Sequence, residues 1–188
     1  MRWQKVCISH DLNDDELAAT FSKPLTKLGI EVFFSNREDS IESIRYEIKD
    51  SNCFVPVITE NSRKSQWAKQ ELEIALADYD LGVFPLIEKG QTIEPNRSIK
   101  LVTEFDRDNL EDAIYQVISA LRGYINRNLP VIFGISVICR KCGHAYMIPL
   151  PLQEEIDRMI QENKVYHSEC ICRTRNNLNP KTFEVLKT

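Results

Sequence analysis

The run Cys53-Phe54-Val55-Pro56-Val57-Ile58-Thr59 constrains this 188-residue chain more than any other feature. It is nearly continuously apolar and offers water no polar face, so it reads as a strand buried on both sides. Such strands belong to parallel sheets covered by helices above and below. The chain around it repeats the pattern. Val6 to Ser9, Ile30 to Phe34, Val83 to Ile87 and Ile99 to Phe105 read as further strands. Between them, helical spacing recurs at Leu17, Phe21, Leu25 and Leu28, at Ile41, Ile44 and Ile48, over 66–78, and at Leu110, Ile114, Val117, Ile118 and Leu121. Five such units predict an α/β fold with an open parallel five-stranded sheet. In strand order 2-1-3-4-5, the ligand crevice lies at the carboxyl ends of strands one and three. Ser9, His10 and Asp11 then stand opposite Thr59, Glu60 and Asn61.

Local signals sharpen the boundaries. Asn13 to Glu16 has the form of a helix start with a capping-box glutamate, and Asp14 and Asp15 read as capping residues. Pro24 interrupts the first helical pattern and predicts a kink or early break near Ser22, before Gly29 ends it. Ser40 is placed to cap the second helix. The last helix should end near Gly123, with a hinge over Tyr124 to Pro130. This divides the chain into a domain at 1–124, a linker at 125–135 and a small module at 136–188.

Net charge is −4, with +2 on residues 136–188 and therefore −6 on the rest, so nucleic-acid binding is not expected of the larger part. No apolar run approaches the ~18 residues of a membrane span, and no secretory leader is legible. Cys7 and Cys53 sit singly in strands, while Cys139, Cys142, Cys170 and Cys172 cluster with metal-like spacing, and the expectation is a cytoplasmic protein. With six glycines and neither a Gly-x-Gly-x-x-Gly nor a Walker loop, dehydrogenase and P-loop chemistries are disfavoured.

Four segments carry a family resemblance over roughly residues 4 to 124. Val6-Cys7-Ile8-Ser9-His10, Phe54-Val55-Pro56-Val57-Ile58-Thr59, Ser65-Gln66-Trp67-Ala68-Lys69-Gln70-Glu71-Leu72 and Val83-Phe84-Pro85-Leu86-Ile87 resemble, in order, the first strand, third strand, Ser-x-Trp-x-x-x-Glu-Leu helix and fourth strand of TIR (Toll/interleukin-1 receptor) domains. The resemblance implies a flavodoxin-like sheet and one of two roles, self-associating signalling adaptor or enzyme cleaving the nicotinamide–ribose bond of NAD in signalling or defence. It assigns catalysis to Glu71, four residues after Trp67, and nucleotide contacts to Ser9, His10, Asp11, Phe34, Arg37 and Trp67. Glu71 is expected to be a partly exposed helical residue. The chain departs from the family at Ser35 to Ser40, which lacks the usual glycine, and after the first strand, where Asp11 and Leu12 replace basic residues.

Cys139-Arg140-Lys141-Cys142-Gly143-His144 has the form of a zinc knuckle. His167, Cys170 and Cys172 compete for the two remaining places. The expected set is Cys139, Cys142, His167 and Cys170, because Tyr166 to Cys170 resembles the second half-site of LIM and treble-clef modules. The site offers no open position, so the zinc is expected to be structural, and Leu152 to Asn163 should form a helix between the half-sites. Protein recognition, RNA contact through Arg173, Arg175 and Lys181, or support of the larger domain are the uses left open for the module.

Overall fold

The computed structural model of the chain describes residues 4–35, 39–128 and 134–187. Strands β1 (Lys5–Ser9), β2 (Glu31–Phe34), β3 (Cys53–Ile58), β4 (Gly82–Val83), β5 (Leu86–Glu88) and β6 (Thr103–Phe105) form one parallel sheet in the order β2-β1-β3-β5-β6, with β4 also paired to β3. Counting β4 and β5 as one interrupted strand, this is the expected 2-1-3-4-5. The interruption has a chemical cause. Pro85 has no N–H to give the ladder, so pairing stops after Phe84, whose N–H reaches Phe54 O at 2.8 Å, and resumes at Leu86.

Helices α1 (Asp15–Lys27) and α5 (Glu111–Asn128) cover one face; α2 (Ile41–Asp50) and α4 (Gln66–Leu76), which follows the short α3 (Glu60–Lys64), cover the other. Alternation along each strand divides the core between the faces. Val6, Ile8, Val55 and Val57 point toward Phe21, Leu25, Ile114 and Ile118, whereas Cys7 and Phe54 point toward Ile44, Ile48 and Ala75. Helix α1 runs unbroken through Pro24, contrary to the break expected near Ser22. Pro24 falls in the last turn, where its missing N–H removes a single helical bond. Helix α5 continues to Asn128, past Gly123 and into the range read as a hinge.

The remaining residues form two antiparallel hairpins around one helix. β7 (Gly134–Ile138) pairs with β8 (Ala145–Pro149), α6 (Gln153–Gln161) follows, and β9 (Tyr166–Glu169) pairs with β10 (Arg175–Leu178). This module is not merely tethered. Ile135, Val137, Ile156, Leu178 and Phe183 bury themselves in the same core as α1 and α5. Arg122 of α5 donates to Gln153 Oε1 at 2.8 Å and Pro151 O at 3.0 Å, the Tyr115 hydroxyl donates to Asp157, and Lys181 Nζ meets Asp112 at 2.6 Å.

Candidate functional site

Glu71 occupies the centre of the crevice end of the sheet. Ser65 caps α4 by accepting from the Ala68 N–H, which fixes the helix start beside the ends of β1 and β3. One helical turn separates Trp67 from Glu71, so both share a face. Glu71 is only 1% exposed, not partly exposed as expected. Its Oε2 accepts a hydrogen bond from Ser9 Oγ at the end of β1. Its Oε1 and the Trp67 Nε1–H are buried without a hydrogen-bonded partner among the described residues. Burial pushes the carboxyl above the ordinary carboxylate range; the hydroxyls of Ser35 and Ser9, the His10 ring and the Trp67 indole pull the other way, in that order, and do not offset it.

His10 continues from Ser9. Its Nε2 lies 2.8 Å from Asp15 Oδ1, and its ring meets Phe34 edge to face at 5.4 Å. Asp11 turns away to accept from the Asn13 N–H and side-chain amide, capping a short 3-10 turn at Leu12–Asp14. A cleft of about 520 Å³ opens next to these groups, lined by Asp11, Asn13, Asn61, Ser65, Trp67 and Gln70 among others. The structure thus gathers Ser9, His10, Phe34 and Trp67 around or beside Glu71 and sets Asp11 on the cleft wall. Arg37 lies outside the described residues.

Asp14 is the group that sequence reasoning misread. Its carboxylate does not cap α1. Wholly buried, it accepts from Thr59 Oγ1 at 2.6 Å, Asn61 Nδ2 at 3.2 Å and Arg107 Nη2 at 2.9 Å, and Arg107 bridges on to Glu88. This hub ties the β1–α1 turn to the ends of β3 and β5. The adjacent pair Asp14-Asp15 was its only signal in sequence, and capping explained that pair equally well.

The second site lies in the module. Cys139, Cys142, Cys170 and Cys172 bring their Sγ atoms within 4.8 Å of one another. His167 is not among them. It faces outward on β9 with Nδ1 2.9 Å from Asn177 Oδ1, because the β9–β10 register pairs those two residues. Cys172 therefore stands where the sequence reading placed His167. The short loop of residues 170–174 turns both of its cysteines inward, with Arg173 N–H bonded to Cys170 O at 2.7 Å. Sγ separations of 3.7 Å (Cys139–Cys172) and 3.6 Å (Cys142–Cys170) suit a tetrahedral ion with sulfur ligands at about 2.3 Å, whose edge is about 3.8 Å. Four thiolates this close repel one another unless a cation sits among them, so the donor set fits zinc. Lys181, grouped by sequence with Arg173 and Arg175, is engaged by Asp112.

Among the described residues no helix is long and apolar enough to cross a membrane. The chain is similar to several solved structures, the first two of which share its fold. A diflavin flavoprotein from Nostoc sp. is 13% identical with a TM-score of 0.51, over 68% of this chain and 97% of that one. A flavodoxin-like domain from Synechococcus sp. is 15% identical with a TM-score of 0.50, over 65% and 99%. The TIR domain of a Toll-related receptor from Hydra magnipapillata is 19% identical with a TM-score of 0.48, over 64% and 98%. No curated protein is a significant match. The family model described as TIR domain matches residues 6–118, well over half of the chain, and the protein belongs to that family.

Proposed function

We propose that the chain cleaves the nicotinamide–ribose bond of NAD, with Glu71 as the catalytic carboxylate. The observation that carries this reading is the buried, unpartnered Oε1 of Glu71 beside the Trp67-lined cleft. An ordinary helical glutamate faces water, whereas this one is held dry with an acceptor unused. Glycosidases acting on O-linked sugars need two carboxylates. NAD needs one, because nicotinamide departs as a neutral base and requires no proton. The bond from ribose C1′ to the pyridinium nitrogen breaks with its electron pair going to nicotinamide. The cation left on the ribose is stabilised by Glu71, which accepts hydrogen bonds from the ribose hydroxyls. Water or another nucleophile then closes on C1′. Ser9 orients the carboxylate, Trp67, His10 and Phe34 wall the ring site, and Asp11 borders the cleft; Arg37 completes the nucleotide contacts in this reading. TIR domains work in signalling and defence, and this activity belongs to that setting, in the cytoplasm.

We further assign structural zinc to Cys139, Cys142, Cys170 and Cys172, with the domain carried through α5 to Asn128 and the module beginning at β7 with Gly134, in place of the boundaries 1–124, 125–135 and 136–188. Nicotinamide release from NAD by wild type and by Glu71→Gln, at matched concentration, tests the central claim. The variant should lose on the order of a hundred- to a thousandfold in rate; equal rates would make Glu71 a bystander. A second reading, self-association without turnover, is favoured by the 1% exposure of Glu71, which gives substrate no open approach in this conformation. It predicts no release from either protein and an oligomer that Glu71→Gln leaves intact.

A further inference from the structure

The two loops that bring the cysteines together also concentrate positive charge. Residues 136–147 contain Arg140 and Lys141 and no acid; residues 167–177 contain Arg173 and Arg175 against the single acid Glu169. All four cations are exposed, and none has an ion-pair partner among the described residues. Other cations, among them Lys5, Lys27, Lys64, Arg107, Lys164 and Lys181, meet a carboxylate, so what marks this surface is the clustering of four cations rather than the lack of pairing alone. Of the module's other acids, Glu154, Glu155 and Asp157 lie on α6, Glu162 directly follows it, and Glu184 meets Lys27. The thiol contacts hold the loops side by side, and the Arg140 N–H donates to Asn176 Oδ1 at 3.2 Å, which sets Arg140 next to the strand carrying Arg175. Charge on the acidic domain is screened beyond about 8 Å at physiological salt, so the local excess persists.

Exposed flat and apolar groups accompany the charge. The His144 and Tyr146 rings lie parallel within 7°, with centroids 6.3 Å apart, and His144 is exposed. Ile171, between two cysteines, is 80% exposed.

We propose that this end of the module binds single-stranded nucleic acid without sequence preference. Arg140, Lys141, Arg173 and Arg175 take the phosphates, and bases lie against His144 and Ile171. Three of the four cations are arginines, whose planar fork matches a phosphate in two bonds; none is ion-paired among the described residues, although Arg175 stands opposite Glu169 in the β9–β10 register, and their donors are open to an external anion. An anionic membrane would use the cations and Ile171 but has no use for the parallel orientation of the two rings; the acidic domain of a second copy would use the cations alone. The strand uses all three features.

The test is fluorescence anisotropy of a labelled oligouridylate with the full chain, titrated across salt concentrations. Four phosphate contacts give a slope of log affinity against log salt of about −3. Combined Arg140→Ala and Lys141→Ala should weaken binding and flatten the slope by about 1.4. Glu169→Lys, which adds a cation to the same surface, should tighten binding and steepen the slope by about 0.7, an outcome that misfolding cannot mimic. The proposal is overturned if the oligouridylate does not bind at low salt, or if these variants leave the slope unchanged. It is equally overturned if phosphatidylserine vesicles bind in the oligouridylate's place, or if the cations prove to drive self-association instead. None of these results depends on NAD turnover.

Discussion

Glutamine at position 71 separates the two consequences of burying a carboxylate. Wild-type Glu71 is 1% exposed, its Oε1 has no hydrogen-bonded partner, and burial is the largest influence on its ionisation, raising it above the ordinary 4.5. The folded chain therefore holds this proton to higher pH than the unfolded chain does. Between the ordinary value and the raised one, the folded state binds more protons, so stability falls as pH rises through that window and stays reduced above it. Glutamine fills the same volume, keeps an oxygen for the Ser9 hydroxyl and carries no charge. A buried unpaired neutral group costs about 1–3 kcal/mol, and a charged one costs more. The exchange should thus relieve on the order of 1 kcal/mol at neutral pH, or about 2–4 °C in melting temperature for a chain of this size. Calorimetry of both proteins at neutral pH and near pH 4.5 checks this, with nicotinamide release measured alongside. The variant should melt higher at neutral pH, the gap should close in acid where wild type is itself protonated, and release should be lost. A variant that melts below wild type by the same margin at both pH values would show that the Glu71 charge is not penalised, and the reasoning would fail.

Ser9→Ala removes a donor that holds the Glu71 ionisation down, so the acid limb of the pH–rate profile should move to higher pH while far-ultraviolet circular dichroism stays unchanged. Metal content by mass spectrometry should fall for Cys172→Ser and hold for His167→Ala; the reverse pattern would restore the histidine as ligand. Asp14→Ala strips the shared acceptor from Thr59, Asn61 and Arg107; Arg107 is half exposed and keeps Glu88, so the cost is chiefly the buried Thr59 hydroxyl left unpaired, about 1–3 kcal/mol in denaturant titrations. Ile156→Ala empties a site in the core that the module shares with α1 and α5 and should cost about 2–5 kcal/mol. One cooperative transition should shift as a whole, and a transition of the larger domain left unmoved would show that the two parts do not stabilise each other.

What could be read from sequence was local or periodic. The both-sides-buried run at 53–59 and the strand–helix alternation lead to the sheet and its order, because each strand's pattern is set by the faces it must cover. Capping by Ser40 was legible for the same reason, since the partner N–H lies three residues away. What was not legible depends on groups distant in sequence. Arg107 meets Asp14 across 93 positions, and no spacing rule links them. Glu71 is buried against the end of β1, where Ser9 donates to it across 62 positions, whereas its own helix position suggests solvent. The choice between Cys172 and His167 turns on the β9–β10 register, which faces His167 away from the other thiols. Even Pro24, a residue with a firm local rule, was harmless because only the end of α1 reaches it.

The site's anchoring shows which side of it has to move. A carboxylate stabilises a developing cation best when it is desolvated and fixed before the substrate arrives. Glu71 meets that condition, yet at 1% exposure it must be uncovered for a ribose to touch it. Helix α4 cannot readily retreat, because Ala68 and Ala75 are packed into the core on its inner face. The β1–α1 turn is tied through Asp14 to Thr59, Asn61 and Arg107, so it too is held. On the third side, Phe34 is 37% exposed and touches the site through an edge-to-face contact with His10, and Ser35 follows it. Among the described residues, that wall is held by the fewest contacts. Entry from the β2 side would leave the Ser9–Glu71 bond and the Asp14 hub undisturbed and would loosen only the Ser35 hydroxyl's hold on Glu71, the carboxylate we propose as catalytic. The module docks on α1 and α5, across the sheet from α4.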